Sequence, residues 1–473
     1  MIRLFNTLGR ELIDFTPIRE GYAGMYTCGP TVYNYAHIGN FRAYLFEDLL
    51  RRTLEYHGFK VTQVMNLTDV DDKTFRDSRA AGIPLRNFTR KYKDAFFEDL
   101  RTLRVEPAEH YPEATAHIPE MLNMIQQLMD KGYAYQADDG SIYFSIEKCE
   151  KYGQLVKLDF ENQRKSERVR NDEYAKDSVS DFALWKAWDE KDGDVKWDSP
   201  WGPGRPGWHL ECSAMSRKYL GLTFDIHTGG VDNMFPHHED EIAQSESANG
   251  CKFVNYWLHC EHLMVKGEKM AKSKKNFYTL RDLTAKGWSG AEIRYLLIGT
   301  HYRSKLNFDP DALGQARTAL NKFHAVFARL NAAPAGDALL DEAKAKAQEA
   351  RKMFADGLAD DLNIAEALAS VHKFTNEVRK LLAEGAGRDA AAVILDQYRD
   401  FDRVLAFLDV DAALKEADAP KQDVPAEILE LAQKRAEAKK AKDFAAADAI
   451  RAQINAAGWA VKDTPAGPEF SKL

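Results

Sequence analysis

This sequence has few cysteines, no long apolar run and no excess of positive charge. The 473 residues include five cysteines, too few for a disulfide framework, and an odd number leaves at least one unpaired, so thiols or metal ligands are expected. No run approaches the roughly 20 apolar residues that cross a bilayer, and residues 1–7 lack the apolar core of a signal peptide. These absences argue against disulfide-rich secreted proteins and membrane-spanning proteins, and they predict a cytoplasmic protein with no membrane partner.

The overall charge is negative. A formal net charge of −8 argues against a protein that coats nucleic acid without selectivity, although local basic surfaces can still bind RNA phosphates. With 45% hydrophobic and 29% charged residues, the composition is typical of a globular protein. The length predicts about two to four domains.

The first part of the chain alternates strand and helix patterns. Residues 22–27 predict a short strand, residues 41–57 a helix with an apolar stripe, and residues 60–66 a second strand. These elements form one βαβ unit, which is right-handed in parallel sheets. Further strands are predicted at 224–230 and 253–259. The pattern predicts an α/β fold with a doubly wound parallel sheet, whose ligands bind at the carboxyl ends of the strands.

Changes in composition divide the chain into segments. An insertion interrupts the α/β pattern and is followed by a Gly/Pro-rich loop at 202–207. Periodic Ala-, Leu- and Lys-rich segments then predict a C-terminal α-helical bundle, and a Pro-containing linker precedes a small terminal module. The expected boundaries are 1–114 and 201–265 for the two halves of the α/β domain, 115–200 for the insertion, 266–310 for a Lys-rich loop and the region after it, 311–417 for the bundle, 418–425 for the linker and 426–473 for the terminal module.

The segment 36–40, Ala-His-Ile-Gly-Asn, follows the first predicted strand and opens a helix. A helix N-terminus offers unpaired N–H groups and a partial positive charge to an anion. Gly39 allows a phosphate to approach the backbone closely, and His37 can donate to a phosphate oxygen. Because so short a motif also occurs in ordinary loops, it does not by itself identify a phosphate site.

A second segment, 269–273, reads Lys-Met-Ala-Lys-Ser. The ammonium groups of Lys269 and Lys272 can follow a leaving pyrophosphate, and Ser273 offers a hydroxyl donor. The alternative is a solvated basic loop over 266–275, the usual explanation of a run of lysines. The two segments together indicate an ATP site more strongly than either does alone, since each follows a strand of the α/β part.

Two cysteines, a histidine and a glutamate form a candidate metal set. His237 and Glu241 lie four residues apart, and with Pro236 in the first turn of a helix they would share one face. Cys28 follows the first predicted strand, Cys212 lies in the segment 208–215, and neither belongs to a Cys-x-x-Cys pair. Spacing alone favours the alternative, in which the cysteines are small buried side chains and the His/Glu pair is a surface feature.

The two phosphate segments resemble the signature pair of the class I aminoacyl-tRNA synthetases. Within that family, residues 28–33 (Cys-Gly-Pro-Thr-Val-Tyr), 207–215 (Gly-Trp-His-Leu-Glu-Cys-Ser-Ala-Met) and 235–241 (Phe-Pro-His-His-Glu-Asp-Glu) resemble the segments that place zinc in cysteinyl-tRNA synthetases. Asn40 stands where the family usually has a second histidine, Ala271 stands where it usually has serine, and lysines at 274 and 275 stand where a glycine is common. These departures bear on the mobility of the lysine loop.

The resemblance implies an ATP-dependent ligase with a Rossmann-like catalytic domain that activates cysteine and needs one zinc ion and ATP with Mg²⁺. The implied zinc ligands are Cys28, Cys212, His237 and Glu241, with His238 as a neighbour. The implied catalytic residues are His37, Asn40, Lys269 and Lys272, and the implied ATP-binding residues are these four with Gly39, Gly230 and Ser273. The implied substrate-binding residues are Gly29, Thr68, Trp208, His227 and Asp232.

The resemblance further implies tRNA(Cys) as partner and a monomeric enzyme, because the bundle and the terminal module read the anticodon stem and loop in this family. The predicted C-terminal helix carries a basic face, and Trp459 and Phe470 offer rings for base stacking. The residues of that face are Lys434, Arg435, Lys439, Lys440 and Lys442. A solvated helix face is the alternative explanation of these charges.

Three other functions fit part of the pattern. A cysteine ligase of the mycothiol pathway resembles the catalytic half but lacks the C-terminal RNA-binding region, which this chain has. A non-catalytic paralogue would be favoured by loss of His37, Lys269 or Lys272, which are all present. A nucleotidyltransferase with a related phosphate loop does not account for the cysteine, histidine and glutamate set.

Overall fold

The chain forms two compact units, Met1–Leu414 and Lys415–Leu473. The computed structural model describes residues 1–157, 181–270, 276–418, 424–441, 443–464 and 467–472. The strands of the first unit are β1 (Arg3–Asn6), β2 (Glu11–Asp14), β3 (Tyr22–Thr27), β4 (Lys60–Met65), β5 (Ala134–Gln136), β6 (Ile142–Phe144), β7 (Phe182–Ala187), β8 (Gly204–Pro206), β9 (Phe224–Gly230), β10 (Val254–Cys260), β11 (Leu263–Val265), β12 (Glu268–Lys269) and β13 (Leu306–Phe308).

Helices surround these strands. They are α1 (Ile38–Tyr56), α2 (Asp72–Ala80), α3 (Leu85–Thr102), α4 (Ile118–Asp130), α5 (Trp208–Leu220), α6 (Glu239–Asn249), α7 (Leu280–Thr284), α8 (Gly290–Ile298), α9 (Ala312–Asn331), α10 (Leu340–Ala359), α11 (Ile364–Ala383) and α12 (Arg388–Leu405). A further helix, α13 (Val410–Asp418), includes the residues at which the two units divide.

The central sheet has the strand order β10-β9-β3-β4, and all its pairs are parallel. The predicted doubly wound α/β sheet is therefore confirmed. The strand at Tyr22–Thr27 has the predicted bounds, whereas α1 begins at Ile38, three residues before the prediction. The apolar stripe of α1 packs in the core against the sheet, and its members include Leu45, Leu49, Leu50 and Leu54.

The insertion contains an antiparallel sheet with the strand order β5-β6-β7-β8. It packs in an apolar core shared with α2, α5 and α6, to which α4 contributes Met121, Met124 and Leu128. The prediction of a loop over 202–207 is wrong for residues 204–206, which form β8 against β7. Gly204 and Gly207 permit this pairing, because a Cβ would lie 2.3 Å from the carbonyl oxygen of Lys186 and 1.9 Å from that of Ala183, respectively.

The predicted helical bundle comprises α9, α10, α11 and α12. Their apolar stripes form one core, in which Phe374 packs against Tyr398 and Phe401 with ring centroids 5.3 and 5.9 Å apart. Other large members are Phe323, Phe327, Phe354 and Ile394. Periodicity predicted these helices well because each of them buries one continuous apolar face.

The second unit contains α14 (Ala426–Lys440), α15 (Phe444–Ala456) and an antiparallel hairpin of β14 (Trp459–Thr464) and β15 (Gly467–Lys472). Gly458 ends α15 with a φ of +80°, a conformation that favours glycine. The expectation that Trp459 offers its ring to bases is wrong, because Trp459 is 6% exposed and packs with Ile428 and Ile454 in the core of this unit.

The predicted basic face on α14 is smaller than the sequence suggested. Arg435 is 5% exposed and so lies in the interior, whereas Lys434, Lys439 and Lys440 are exposed. Lys442 and the linker residues 419–423 lie outside the described residues.

Among the helices that the structure describes, none is both long and apolar enough to cross a membrane.

Candidate active site

The candidate residues gather at the carboxyl ends of the parallel strands. Cys28 directly follows β3, Thr68 lies three residues after β4, and Gly230 ends β9. Parallel strands place their carboxyl ends at one edge of a sheet, which is where doubly wound folds bind ligands. The sheet thus collects residues that are far apart in sequence.

A reciprocal cap starts the helix of the phosphate segment. Nδ1 of His37 accepts the backbone N–H of Asn40 at 3.2 Å, and Oδ1 of Asn40 accepts the backbone N–H of His37 at 3.1 Å. This cap explains why α1 begins at Ile38. The cap uses the side-chain oxygen of Asn40, which is an acceptor. The amide NH2 of the same side chain is its donor and is the group that could bind a phosphate.

The structure brings the two phosphate segments together. The backbone N–H of Ile38 donates to the carbonyl of Tyr278 at 3.0 Å, just after the lysine loop. A Cβ at position 39 would lie 2.9 Å from Cε of Met270, so Gly39 is what permits this approach. Lys269 pairs through its backbone in β12 with Met264 of β11. Lys272 and Ser273 belong to residues 271–275, which lie outside the described residues.

The four predicted metal ligands form one cluster. One donor atom from each of Cys28, Cys212, His237 and Glu241 lies within 4.8 Å of the others. Nε2 of His237 lies 2.9 Å from Oε1 of Glu241 and 3.6 Å from Sγ of Cys212. Oε1 makes no hydrogen bond within the described residues. Two thiols, an imidazole and a carboxylate that converge in this way are a donor set suited to zinc.

The segment that carries His237 and Glu241 is an irregular turn followed by a helix. The helix α6 begins at Glu239, and Pro236 lies in a distorted turn over 234–238, in which Phe235 is extended with φ −141°. Pro236 follows this extended residue and lies in the helical turn that leads into α6, in agreement with the prediction. The four-residue spacing brings the side chains of His237 and Glu241 into contact, as expected for one face of a helix.

Burial and neighbouring charges shift the pKa values of the cluster. Burial raises the pKa of Glu241, but the imidazoles of His227 and His237 outweigh it and lower that pKa to about 2. For His237, burial lowers the pKa, but Glu241 and Cys212 raise it to about 10. The hydrogen bond to Cys28, together with burial, raises the pKa of Cys212 well above its usual value. A metal ion that binds here must therefore displace protons from the thiols and the imidazole.

A second set of donors overlaps the first. Cys28, His227, His238 and Glu241 also lie within 4.8 Å of one another. In this set Nε2 of His227 is already 3.0 Å from Oε2 of Glu241, and Nε2 of His238 is 3.3 Å from Sγ of Cys28. His238, which the resemblance made a neighbour, thus lies against a ligand of the first set.

A chain of hydrogen bonds fixes the residues beside the cluster. The N–H of Gly29 donates to Oδ1 of Asn66 at 2.8 Å, and Nδ2 of Asn66 donates to Oγ1 of Thr68 at 3.1 Å. The hydroxyl of Thr68 then donates to Oε2 of Glu211 at 2.8 Å. A Cβ on Gly29 would lie 1.7 Å from the carbonyl oxygen of Asn66, so this approach requires glycine.

The remaining predicted substrate residues differ in access. Trp208 is 40% exposed and stacks on His237 with ring centroids 4.1 Å apart. Asp232 is exposed, in the turn after β9, next to Gly230 and Val231. His227 is fully buried between Trp257 and Glu241.

Comparison with known proteins identifies the family. The family model described as the tRNA synthetases class I (C) catalytic domain matches residues 14–318. A cysteine--tRNA ligase of Protochlamydia amoebophila is 47% identical over 100% of this chain and 98% of the relative, and one of Brachyspira hyodysenteriae is 48% identical over 100% and 99%. The chain belongs to the cysteine--tRNA ligase family of class I synthetases. It is therefore an enzyme of the aminoacyl-tRNA synthetase class, as the sequence predicted.

Solved structures share the synthetase fold. A methionyl-tRNA synthetase of Mycobacterium tuberculosis, solved in complex with methionyl-adenylate, superimposes with a TM-score of 0.63 at 14% identity, covering 85% of this chain and 94% of that one. A LeuRS of Agrobacterium radiobacter, solved in a ternary complex with tRNA and LeuAMS, gives a TM-score of 0.61 at 10% identity, covering 86% of each chain. At these identities the likeness concerns the fold alone.

Sequence reasoning missed several buried polar residues around the synthetase site. Glu211 is fully buried against Thr68, and burial raises its pKa well above the usual value. His209 on α5 and Asp240 on α6 contact each other behind His237. The one available signal was position, because His209 precedes Cys212 by three residues and Asp240 follows His237 by three, which puts each beside a ligand on a helix or turn.

Proposed function

We propose that this synthetase activates cysteine with ATP to cysteinyl-adenylate and transfers the cysteinyl group to the 3′ end of tRNA(Cys). The observation that carries the proposal is the cluster of two thiols, an imidazole and a carboxylate, whose member Cys28 directly follows β3 and precedes α1. Two thiols in the donor set suit a metal ion that prefers sulfur ligands. In a class I synthetase, such an ion at this position favours a substrate with a thiol. The full-length identity to cysteine--tRNA ligases supports the same substrate.

The activation step is assigned to the two phosphate segments. The cysteine carboxylate attacks the α-phosphorus of ATP in line, and pyrophosphate leaves with Mg²⁺. The N-terminus of α1 and His37 stabilise charge on the phosphate oxygens; since Nδ1 of His37 is engaged in the helix cap, Nε2 is the nitrogen assigned to this contact. Lys269, Lys272 and Ser273 are assigned to the departing pyrophosphate. Positioning and charge stabilisation supply the catalysis without a side-chain nucleophile.

The ion assigned to the cluster is zinc, held by Cys28, Cys212, His237 and Glu241. His227 occupies Oε2 of Glu241, whereas Oε1 has no hydrogen bond within the described residues and faces His237. This asymmetry favours the set with two cysteines over the set with His227 and His238. A bound zinc ion would supply a coordination position that a thiolate fills better than a hydroxyl, whereas packing discriminates such isosteres by only about 1–3 kcal/mol.

The ammonium of the substrate is assigned to Thr68. Glu211 accepts the hydroxyl hydrogen of Thr68, and Asn66 donates to the same oxygen, which leaves one lone pair to accept from the substrate. Trp208 is assigned to cover the small side chain of cysteine because it is half-exposed over His237. Gly29, Gly230 and Asp232 line the same edge of the sheet.

Amino-acid-dependent exchange of labelled pyrophosphate into ATP tests the activation step. We expect exchange with cysteine, none with serine, and its loss when a chelator removes the metal. Control reactions contain the chelator already saturated with zinc. Exchange that is equal for cysteine and serine, or that chelation leaves unchanged, would contradict the role of zinc. No exchange with any amino acid, from folded protein, would favour a non-catalytic paralogue.

Two variants decide between the overlapping donor sets. We expect Cys212→Ser to lose bound zinc, since Cys212 belongs only to the first set, and His238→Gln to keep it, since His238 belongs only to the second. Zinc content after dialysis against buffer of defined free zinc is the measurement. The opposite result in the two variants would assign the ion to the second set.

The bundle and the second unit are assigned to tRNA binding, with Lys434, Lys439 and Lys440 exposed on α14. Deletion of residues 426–473 should weaken charging of tRNA by about 10²-fold or more, because one of two linked contacts is lost, while exchange of pyrophosphate is spared. Equal charging by the shortened chain would overturn this assignment. A cysteine ligase that acts on an aminosugar, the alternative drawn from the sequence, would lose nothing on deletion and would charge no tRNA.

A further inference from the structure

The two ring nitrogens of His237 face different surroundings. Nε2 faces the metal cluster, 2.9 Å from Oε1 of Glu241 and 3.6 Å from Sγ of Cys212. Nδ1 faces away from the cluster and lies 2.9 Å from Nδ1 of His209. Trp208 stacks on the same ring at an interplanar angle of 15°, which restricts its rotation. The ring is therefore held at its face and at one nitrogen.

The contact continues beyond His209 into the protein interior. Nε2 of His209 lies 3.3 Å from Oδ2 of Asp240. The other oxygen of Asp240, Oδ1, accepts the hydroxyl hydrogen of Tyr152. His209, Asp240 and Tyr152 are all buried. A line of polar contacts thus runs from His237 through an imidazole and a carboxylate to a phenol.

We propose that His209 and Asp240 are positioning residues for the metal ligand His237, and that Tyr152 anchors them. An imidazole that ligates through Nε2 is neutral and carries its hydrogen on Nδ1. That hydrogen is donated to Nδ1 of His209, so His209 carries its own hydrogen on Nε2 and donates it to Asp240. Tyr152 donates to the remaining carboxylate oxygen. Every hydrogen in the chain then has one acceptor.

The helices place these residues in register. On α5, His209 precedes the ligand Cys212 by three residues, and on the other side Asp240 lies between the ligands His237 and Glu241. Nε2 of Gln244 donates to the carbonyl of His209, which fixes the backbone of the intermediate residue. The same two helical segments thus carry three of the four proposed ligands and the residues that orient one of them.

A loop from the insertion closes the outer end of the chain of contacts. Oε1 of Glu239 accepts the backbone N–H of Gly153 at 2.8 Å, and Oε2 accepts those of Leu155 and Val156 at 2.9 and 3.2 Å. This anchoring holds Tyr152, one residue earlier, against the first turn of α6. Glu246 lies later on α6, and its Oε1 accepts the backbone N–H of Phe253. Because this bond involves neither a candidate ligand, nor a residue of the proposed chain, nor the loop that holds Tyr152, Glu246 offers a matched control.

The affinity for zinc tests the positioning role. Asp240→Asn keeps the size and an acceptor but removes the charge, and it should weaken zinc binding roughly 10-fold. Asp240→Leu removes the acceptor as well and should weaken it roughly 100-fold, the range found for residues behind metal ligands. Tyr152→Phe should have the smallest effect of the three. Affinity is measured by competition with a chelator of known affinity, and the absorption spectrum of the cobalt-substituted enzyme reports ligand geometry.

Glu246→Gln is the control. It should lower the melting temperature but leave the zinc affinity and the cobalt spectrum unchanged. Parent-like affinity and spectrum in folded Asp240→Asn would overturn the proposal, and this variant decides the matter if Asp240→Leu does not fold. Because the inference rests on the proposed ligand set, Cys212→Ser is measured alongside. Unchanged zinc affinity in Cys212→Ser would overturn both the proposed ligand set and the positioning role. Lost affinity in Cys212→Ser, together with unchanged affinity in the Asp240 variants, would overturn only the positioning role.

Discussion

Two helical regions of the first unit bury different kinds of residue: mainly apolar ones in the bundle and several polar ones in the site. In the bundle, the buried side of α12 is apolar and includes Ile394, Tyr398, Phe401 and Val404. In the site, the buried residues of α6 include Glu239, Asp240, Glu241, Gln244 and Ser245. Buried polar groups cost free energy unless each of them finds a partner. A helix such as α6 is therefore stable only where the rest of the fold supplies those partners.

The comparison separates stability from function. An apolar face accepts any well-packed apolar neighbour, so its substitutions change the free energy of unfolding. Several polar residues of α6 have specific partners, for example Gln244, whose Nε2 donates to Oγ of Ser213 at 2.7 Å. Substitutions there should change what the site binds. The following variants test whether the two regions can be perturbed independently.

The largest effect is expected for Glu241→Gln, on α6. The amide removes a negative charge from the donor cluster, and zinc affinity should fall at least about 1,000-fold, or about 4 kcal/mol. The measurement is chelator competition at fixed pH, with Glu246→Gln on the same helix as control. If the two variants lose equal affinity, the effect belongs to the helix and not to the ligand.

Phe374→Ala tests the bundle. Phe374 is 2% exposed, and its removal should lower the free energy of unfolding by about 3–4 kcal/mol through lost burial and a cavity. Denaturant unfolding measures the change, and zinc content should stay at the parent value. Met353→Ala is the control, because Met353 is 40% exposed in the same bundle. Loss of zinc from folded Phe374→Ala would break the separation of the two regions.

Arg294→Met tests the point where the catalytic core meets the bundle. Arg294 on α8 is fully buried, pairs with Asp48 on α1 and donates to the carbonyls of Leu405 and Leu103. Removing one partner leaves a buried charge, so we expect denaturant unfolding to show a loss of about 3 kcal/mol at pH 7. Asp48→Asn combined with Arg294→Met should recover part of it.

The same pair predicts a dependence on pH. Burial raises the pKa of Asp48, but the charges of Arg294 and Arg52 outweigh it and hold the pKa below its ordinary value. A carboxyl whose folded pKa is lowered stabilises the fold above its unfolded pKa of about 3.9 and loses this contribution as the pH falls through the folded value. The stability difference between the parent and Arg294→Met should therefore shrink below about pH 4. A constant difference down to pH 3 would contradict the assignment.

The smallest effect is expected for Lys373→Gln, on the solvent side of the bundle. Lys373 pairs with Glu349 at 2.9 Å, and both side chains are about half exposed. Exposed pairs contribute less than about 1 kcal/mol, so the free energy of unfolding should change by no more than that. A change as large as that of Phe374→Ala would show that this exposed ion pair contributes as much to stability as a residue of the apolar core.

The contrast between the regions also explains which predictions succeeded. The helices of the bundle and the strand at Tyr22–Thr27 were predictable because their hydrophobic periodicity is local. The strand Gly204–Pro206 was not, because its partner β7 supplies the reason for pairing. The burial of Trp459 was not either, since a lone aromatic residue gives no sign of which face packs against Ile428 and Ile454.

In the site, the sequence alone determined which kinds of residue are present. The His-Ile-Gly-Asn and Lys-Met-Ala-Lys-Ser segments together indicate ATP, whereas the separated Cys, His and Glu residues indicate a metal only through the family resemblance, because their spacing alone favours buried cysteines. The tertiary structure decided which of them meet. It placed Gly39 against Met270 and Cys28 with Cys212, His237 and Glu241.

Only the tertiary structure decided the surroundings of the candidate ligands. His227 contacts Glu241, and His209 and Asp240 lie behind His237. The local sequence alone does not distinguish these residues from other histidine, aspartate and glutamate residues of the chain. A side chain acquires a positioning role from the partner that the fold brings within about 3 Å, the range of a hydrogen bond. That partner comes from a different helix or strand, so the sequence with its family resemblance could name candidate ligands but not the residues proposed to orient them.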